Sequence, residues 1–130
     1  MLAEADRLQR RLPEIEYRRH PRVKLLAAVT RLVDEIVPAD PNAAEYRLRG
    51  DLRKFRRAKG HGLPDRYRLF WVFSDAARTI IFLYLNDEAS LRKAGAKSDP
   101  YKVFGRMVER GELGSDFESN YARWRRGRPR

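Results

Sequence analysis

The chain has 130 residues, 42% of them hydrophobic and 11% aromatic, and no cysteine. That suits one domain with one core, argues against disorder, and excludes disulfides, thiolate chemistry and cysteine–zinc sites. Its 29 Lys and Arg stand against 18 Asp and Glu, a formal net charge of +11, so the expected partner is a polyanion: nucleic acid, an acidic protein, or each in turn. No apolar run approaches the roughly 18 residues of a membrane span, and neither a signal-peptide core nor a lipidation motif is present. The expectation is a cytoplasmic protein with no membrane partner.

In chain order, residues 2–12 place Ala5, Leu8 and Leu12 on one helical face, and Pro13 ends or kinks that helix. A second helix is expected from about Pro21 to Val37, with Leu25, Leu26, Val29, Leu32, Val33 and Ile36 as its stripe. Pro21 suits a first helical turn, and Pro38 and Pro41 stop continuation. These two segments read as an antiparallel helical pair packed on a sheet. Strands are expected near 46–49, 53–58, 66–74 and 78–86. In the third, Tyr67, Leu69, Trp71 and Phe73 take one face, and Arg66, Arg68, Phe70 and Val72 the other. The fourth is apolar on both faces, which predicts the central position. The short link Ser74–Arg78 joins the last two as a hairpin.

After the sheet, Asp87 caps a short helix ending at Gly95. Asp99-Pro100 opens another, with Tyr101, Phe104, Met107 and Val108 as its stripe. Ser115-Asp116-Phe117-Glu118 fits a capping box for a last helix, on which Phe117, Tyr121 and Trp124 share a face that reads as packing. The basic segment 121–130 is expected to be a frayed tail. The fold class predicted is therefore α+β: one domain over 1–130, a helical pair on a four-stranded antiparallel sheet, and C-terminal helices.

The stretch from Tyr46 to Lys59 holds seven Lys or Arg among fourteen residues, and one acid. An edge strand also carries lysines against aggregation, but seven cations exceed that need. Fixed cations beside aromatics suit an RNA backbone and its bases. Arg49, Arg53, Lys54, Arg56 and Arg66 are the RNA-binding candidates of this region, together with Arg92 beyond the sheet. Arg68 is the more selective signal, since a charge in an apolar strand must be paired or open into a cleft. Lys97 and Tyr101 follow the fourth strand, at the end of the sheet, although Tyr101 also suits the core stripe. His20 and His61 read as surface residues. The acids Asp75, Asp87, Glu88 and Asp99 lack the spacing of a metal site, and Gly60-x-Gly62 is too short for a phosphate loop, so no metal or cofactor is expected.

From about Lys24 to Phe117 the chain resembles the YhaV toxins of PrlF–YhaV toxin–antitoxin pairs, within the RelE superfamily of ribonuclease toxins. The resemblance is carried by Lys24-Leu25-Leu26-Ala27, by Arg57-Ala58-Lys59 and by Arg66-Tyr67-Arg68-Leu69-Phe70. It continues in Asn86-Asp87-Glu88 with Leu91-Arg92, and in Gly95-x-Lys97-x-Asp99-x-Tyr101-x-Val103-Phe104. Lys54-Phe55 departs from the tryptophan usual in the family there, and the Arg-rich end beyond Trp124 has no family counterpart. The resemblance implies a RelE-like fold, cleavage of mRNA with the ribosome as a candidate setting, and an acidic PrlF-like antitoxin of AbrB type. It also marks Arg57 as the arginine important for toxicity. RNA supplies its own nucleophile, the 2′-hydroxyl, so cleavage requires no metal. Arg57 and Arg68 would then stabilise charge, because arginine stays protonated. Lys59 or Lys97 is the candidate base, and Tyr101 or a lysine the candidate acid. The alternative is a non-catalytic RNA-binding or ribosome-associated protein built on the same basic sheet.

Overall fold

The computed structural model describes residues 21–86 and 99–127. The expected helices over 2–12 and after Asp87 lie outside the described residues, as do His20, Arg92 and Lys97. The described residues fall into two compact units, 21–39 with 60–65 and 40–59 with 66–127.

In the first unit, α1 (Pro21–Arg31) continues through a π-helical turn, Leu32–Ile36, into α2 (Val37–Ala39). The Val37 N–H donates to the Leu32 carbonyl across the widened turn. That widening directly precedes Pro38, whose ring would otherwise meet the carbonyl four residues back. The helix therefore passes Pro38, expected as a stop, and ends one residue later. Ala28, Leu32, Val37 and Leu63 are buried. Gly62, at φ +91°, fits because a Cβ there would stand 3.1 Å from that of Ala28.

The second unit is built on a three-stranded antiparallel sheet in the order β1 (Arg56–Ala58), β2 (Arg68–Ser74), β3 (Thr79–Asn86). The fourth strand expected near 46–49 does not form. Short 3₁₀ turns at Ala44–Tyr46 and Gly50–Leu52 take its place, and only the bridge Arg47↔Arg56 remains of its pairing. Gly50, at φ +64°, turns the chain away from an extended course. The N–H groups of Arg53 and Phe55 bond back to Gly50 and Leu52, which delays β1 to Arg56.

The centre of the sheet is β2, not the more apolar β3. Leu69, Phe70, Trp71 and Val72 are all buried, whereas β3 is half-buried up to its last residue. On one face Phe55, Phe70, Val72 and Phe104 form the core, joined by Tyr84, Tyr101, Val108 and Phe117. On the other, Trp71 meets Tyr46 edge-on at 5.0 Å and donates its indole N–H to the Pro41 carbonyl at 3.3 Å.

The hairpin between β2 and β3 forms as expected, with Arg78 at φ 48° in its turn. Its pairing runs from Ser74↔Thr79 to Trp71↔Phe82, then shifts so that Phe70 faces Tyr84. Leu83 is the extra residue of this bulge. Without it Arg68 would lie opposite Leu85; with it Arg68 lies opposite Asn86.

Two helices follow. α3 (Pro100–Glu109) begins as expected, with Pro100 in its first turn and the Asp99 side chain accepting from the Tyr101 N–H at 2.8 Å. It ends in a Schellman motif: Gly111, at φ +74°, donates to Val108, and Glu112 donates to Met107. α4 (Phe117–Gly127) is capped by Asp116 rather than Ser115. The Asp116 carboxylate accepts from Ser119 N–H at 2.8 Å, and Ser119 Oγ accepts from Asp116 N–H at 3.2 Å. This is a capping box one residue later than the sequence pattern suggests. α4 stays helical to Gly127, so the segment expected to fray from 121 is folded through that point, although exposed from Ala122 onward.

Candidate nucleic-acid interface and active site

The antiparallel register collects the site. Arg57 pairs with Phe70, and Phe70 pairs with Tyr84. One step along the same face, Arg68 pairs with Asn86. Lys59 directly follows the last paired residue of β1, Ala58, which faces Leu69. Two rows therefore share a face: Arg57–Phe70–Tyr84 and Arg68–Asn86.

α3 brings Tyr101 onto this face. Phe104, fully buried, stacks on Phe70 with ring centroids 4.0 Å apart and meets Phe55 edge-on at 5.0 Å. Tyr101 stands one turn before Phe104, so the packing of Phe104 fixes its position. Its ring meets Phe70 edge-on at 6.0 Å. Both candidate arginines converge on that ring: the Arg57 Cζ lies 5.7 Å from the centroid and the Arg68 Cζ 5.9 Å. Arg68 Nε also donates to the Tyr101 hydroxyl at 3.2 Å, and its Nη1 to the Tyr67 carbonyl at 2.8 Å. Arg57 Nη1 donates to the Glu45 carbonyl at 3.2 Å. The sequence left Tyr101 open as a core or a site residue, and the structure gives it contacts of two kinds. Its ring packs on Phe70 while its hydroxyl meets Arg68.

Three buried polar atoms here lack a hydrogen-bond partner among the described residues: Arg57 Nε, and both side-chain atoms of Asn86. Asn86 is fully buried. A buried amide left unpaired costs about 1–3 kcal/mol, so its place opposite Arg68 calls for a reason other than stability.

The other candidates separate. Lys59, Arg49, Arg53, Lys54 and Arg66 are exposed. Arg53 turns back to the Gly50 carbonyl at 3.2 Å. Arg56 takes the opposite face from Arg57. Its Nε donates to Asn42 Oδ1 at 3.0 Å, its Nη1 to the Arg53 and Phe55 carbonyls, and its Cζ lies 5.6 Å from the Phe73 centroid. Burial, reinforced by Arg47, lowers its pKa from the usual value. Arg56 thus ties the 42–55 segment to the sheet. Phe55, buried in the core, is not placed to stack on a base. Sequence reasoning did not assign a role to Tyr84 or Asn86. The signal for Asn86 was an amide ending an otherwise apolar strand, but only the bulge sets it opposite Arg68.

Among the described residues, no group of three His, Asp or Glu is placed to hold a metal, and no helix is long and apolar enough to cross a membrane. A hollow of about 400 Å³ lined by Val23, Leu26 and Thr30 on α1 and by Asp34 in the π-helical turn includes none of the site residues.

The sequence matches, over residues 1–123, the model of a family described as a toxin with endonuclease activity, of a toxin–antitoxin system. The chain belongs to the YhaV toxin family. Toxin YhaV of Escherichia coli O6:H1 is 36% identical over 125 residues, covering 92% of this chain and 79% of that protein. Ribonuclease toxin YhaV of Escherichia coli K12 is 35% identical over the same shares. No solved structure matches. A YhaV-family toxin is an endonuclease with an antitoxin partner, and three of the residues that carried the resemblance, Arg57, Arg68 and Tyr101, are brought together by the register and α3.

Proposed function

We propose that this YhaV-family toxin is a metal-independent endoribonuclease whose centre is Arg57, Arg68 and Tyr101. The observation that carries this reading is the convergence of both guanidiniums on one tyrosine. In RNA cleavage the 2′-oxygen attacks phosphorus, a negatively charged phosphorane forms, and the 5′-oxygen departs with a proton. Arg57 and Arg68 supply fixed positive charge where that negative charge grows. Tyr101 accepts a hydrogen bond from Arg68, which leaves its own proton to donate. Tyr101 is therefore the acid that protonates the 5′-oxygen. Lys59, next to the end of β1, or Lys97 takes the 2′-hydroxyl proton. The products are a 2′,3′-cyclic phosphate and a 5′-hydroxyl. Lys54, Arg53, Arg49, Arg66 and Arg92 guide the strand as phosphate contacts.

In this reading the chain, 1–130, acts as one RelE-type toxin domain in the cytoplasm. The ribosome is a candidate setting for mRNA cleavage, and an acidic PrlF-like antitoxin of AbrB type restrains it. The relative named as a ribonuclease toxin supports RNA as the substrate. The test is incubation of purified protein with labelled mRNA, with and without ribosomes, in EDTA. Cleavage is expected to persist and to leave the cyclic phosphate. Loss of activity in EDTA that Mg²⁺ or Mn²⁺ restores would overturn the mechanism.

A further inference from the structure

A second aromatic and basic constellation lies on α4. Phe117, Tyr121 and Trp124 recur at helical spacing, and their rings follow one another. Phe117 and Tyr121 are stacked, with centroids 5.7 Å and planes 19° apart; Tyr121 and Trp124 lie 5.6 Å and 38° apart. The row starts in the core, where Phe117 joins the cluster of Phe55, Phe70, Val72 and Phe104. It ends at the surface, where Trp124 is 45% exposed. The row thus carries its largest ring to the surface.

The charges point the same way. Arg123, Arg125 and Arg126 are all exposed, and the Arg125 Cζ lies 5.9 Å from the Tyr121 centroid. The acid of this helix, Glu118, sits in its first turn, so the exposed end is purely cationic. Planar rings with interleaved arginines are the recognition chemistry of single-stranded nucleic acid: bases stack and phosphates are held. An acidic peptide would satisfy the arginines but would offer no flat partner to the indole. The family match also stops at residue 123, so Trp124, Arg125 and Arg126 lie beyond the stretch it describes.

We propose that α4 is a second RNA-binding surface, where a base outside the scissile step stacks on Trp124 and Arg123, Arg125 and Arg126 hold adjoining phosphates. This rests on RNA being the substrate. It predicts tighter capture of long RNAs, with no change in the chemistry at Tyr101.

Tryptophan emission reads it directly. The chain has two tryptophans, and Trp71 is fully buried, so an RNA that stacks at the surface quenches Trp124. The probe is a single-stranded 2′-O-methyl oligonucleotide, which cannot cleave itself. In the wild type it should quench emission, and Trp124→Leu should abolish the quench and weaken binding about five-fold or more, with an unchanged salt slope. The triple variant Arg123→Gln, Arg125→Gln, Arg126→Gln should instead flatten the log–log salt slope by about 2. Each variant should raise KM on a long RNA and leave kcat on a ribodinucleotide intact. Melting curves check the fold, and the arginine variant decides alone if Trp124→Leu does not fold. Unchanged affinity and salt slope overturn the proposal. So does loss of antitoxin binding or self-association with RNA affinity intact, which would assign α4 to protein contacts. Because binding is read on a strand that cannot be cut, a protein that binds but cleaves no RNA would fail the ribonuclease reading and leave this one standing.

Discussion

Tyr101 stands between two arginines, and its ring and its hydroxyl can be tested apart. Tyr101→Phe keeps the ring under Arg57 and Arg68 and its edge contact with Phe70, so the melting temperature should hold. Loss of the proton should lower kcat by about 100-fold or more, with KM little changed. Full turnover in Tyr101→Phe would remove the hydroxyl from the mechanism. Arg57→Ala tests charge: one lost stabilising contact costs about 100-fold in kcat. Asn86 should behave unlike both. Its amide has no hydrogen-bond partner among the described residues, so Asn86→Leu fills a similar volume without stranding a polar group. Thermal stability should stay level or rise while turnover falls, the trade expected of a group kept for function. A marked fall in melting temperature would instead make Asn86 structural. The cations were visible as a group in the sequence, seven in fourteen residues. Their division was not. Arg56 and Arg57 are neighbours in sequence, yet strand alternation sends one to Asn42 and the other to Tyr101.

At the level of elements, the hairpin, the start of α3 and the apolar stripe Tyr101, Phe104, Val108 follow from periodicity and caps, which are local signals. What periodicity could not supply is the bulge at Leu83, because one extra residue leaves composition unchanged while reversing the facing of everything after it. The missing fourth strand has the same cause. Tyr46–Arg49 has strand composition, but Gly50 and the adjoining 3₁₀ turns decide its path. α4 offers a test of its cap. The backbone N–H of Ser119, aided by its hydroxyl, holds the Asp116 carboxyl below the usual range. The stability this gives is whole above about pH 4 and is lost as pH falls through the depressed value. Asp116→Asn, which also caps but does not titrate, should therefore show a shallower fall in melting temperature on acidification, and Asp116→Ala should cost about 1 kcal/mol at neutral pH. Parallel acid profiles for the wild type and Asp116→Asn would show that the carboxylate is not what holds the cap. Gly114 closes the same turn. Asn120 clasps its backbone from both sides, at 2.9 and 3.0 Å, and a Cβ there would meet Ser119 Oγ and the Asn120 backbone nitrogen.

For the whole molecule, a formal charge of +11 sets how RNA and antitoxin compete. An endonuclease toxin has an antitoxin by the nature of its system, and the face holding Arg57, Lys59 and Arg68 is the one an acidic segment would recognise. Carboxylates that covered it would take the places of phosphates, so the two ligands should exclude one another. Both complexes should weaken with salt, since exposed charges are screened over about 8–10 Å near physiological ionic strength. RNA should weaken more steeply, by a log–log slope of about −0.7 per phosphate contact, because each contact releases counterions condensed on the strand. The antitoxin should therefore gain on RNA as salt rises, and raising salt at fixed concentrations of both should move the toxin from RNA to antitoxin. A competition titration with a 2′-O-methyl RNA decides it. Antitoxin and RNA bound together without loss of affinity for either would place inhibition at a surface that RNA does not use.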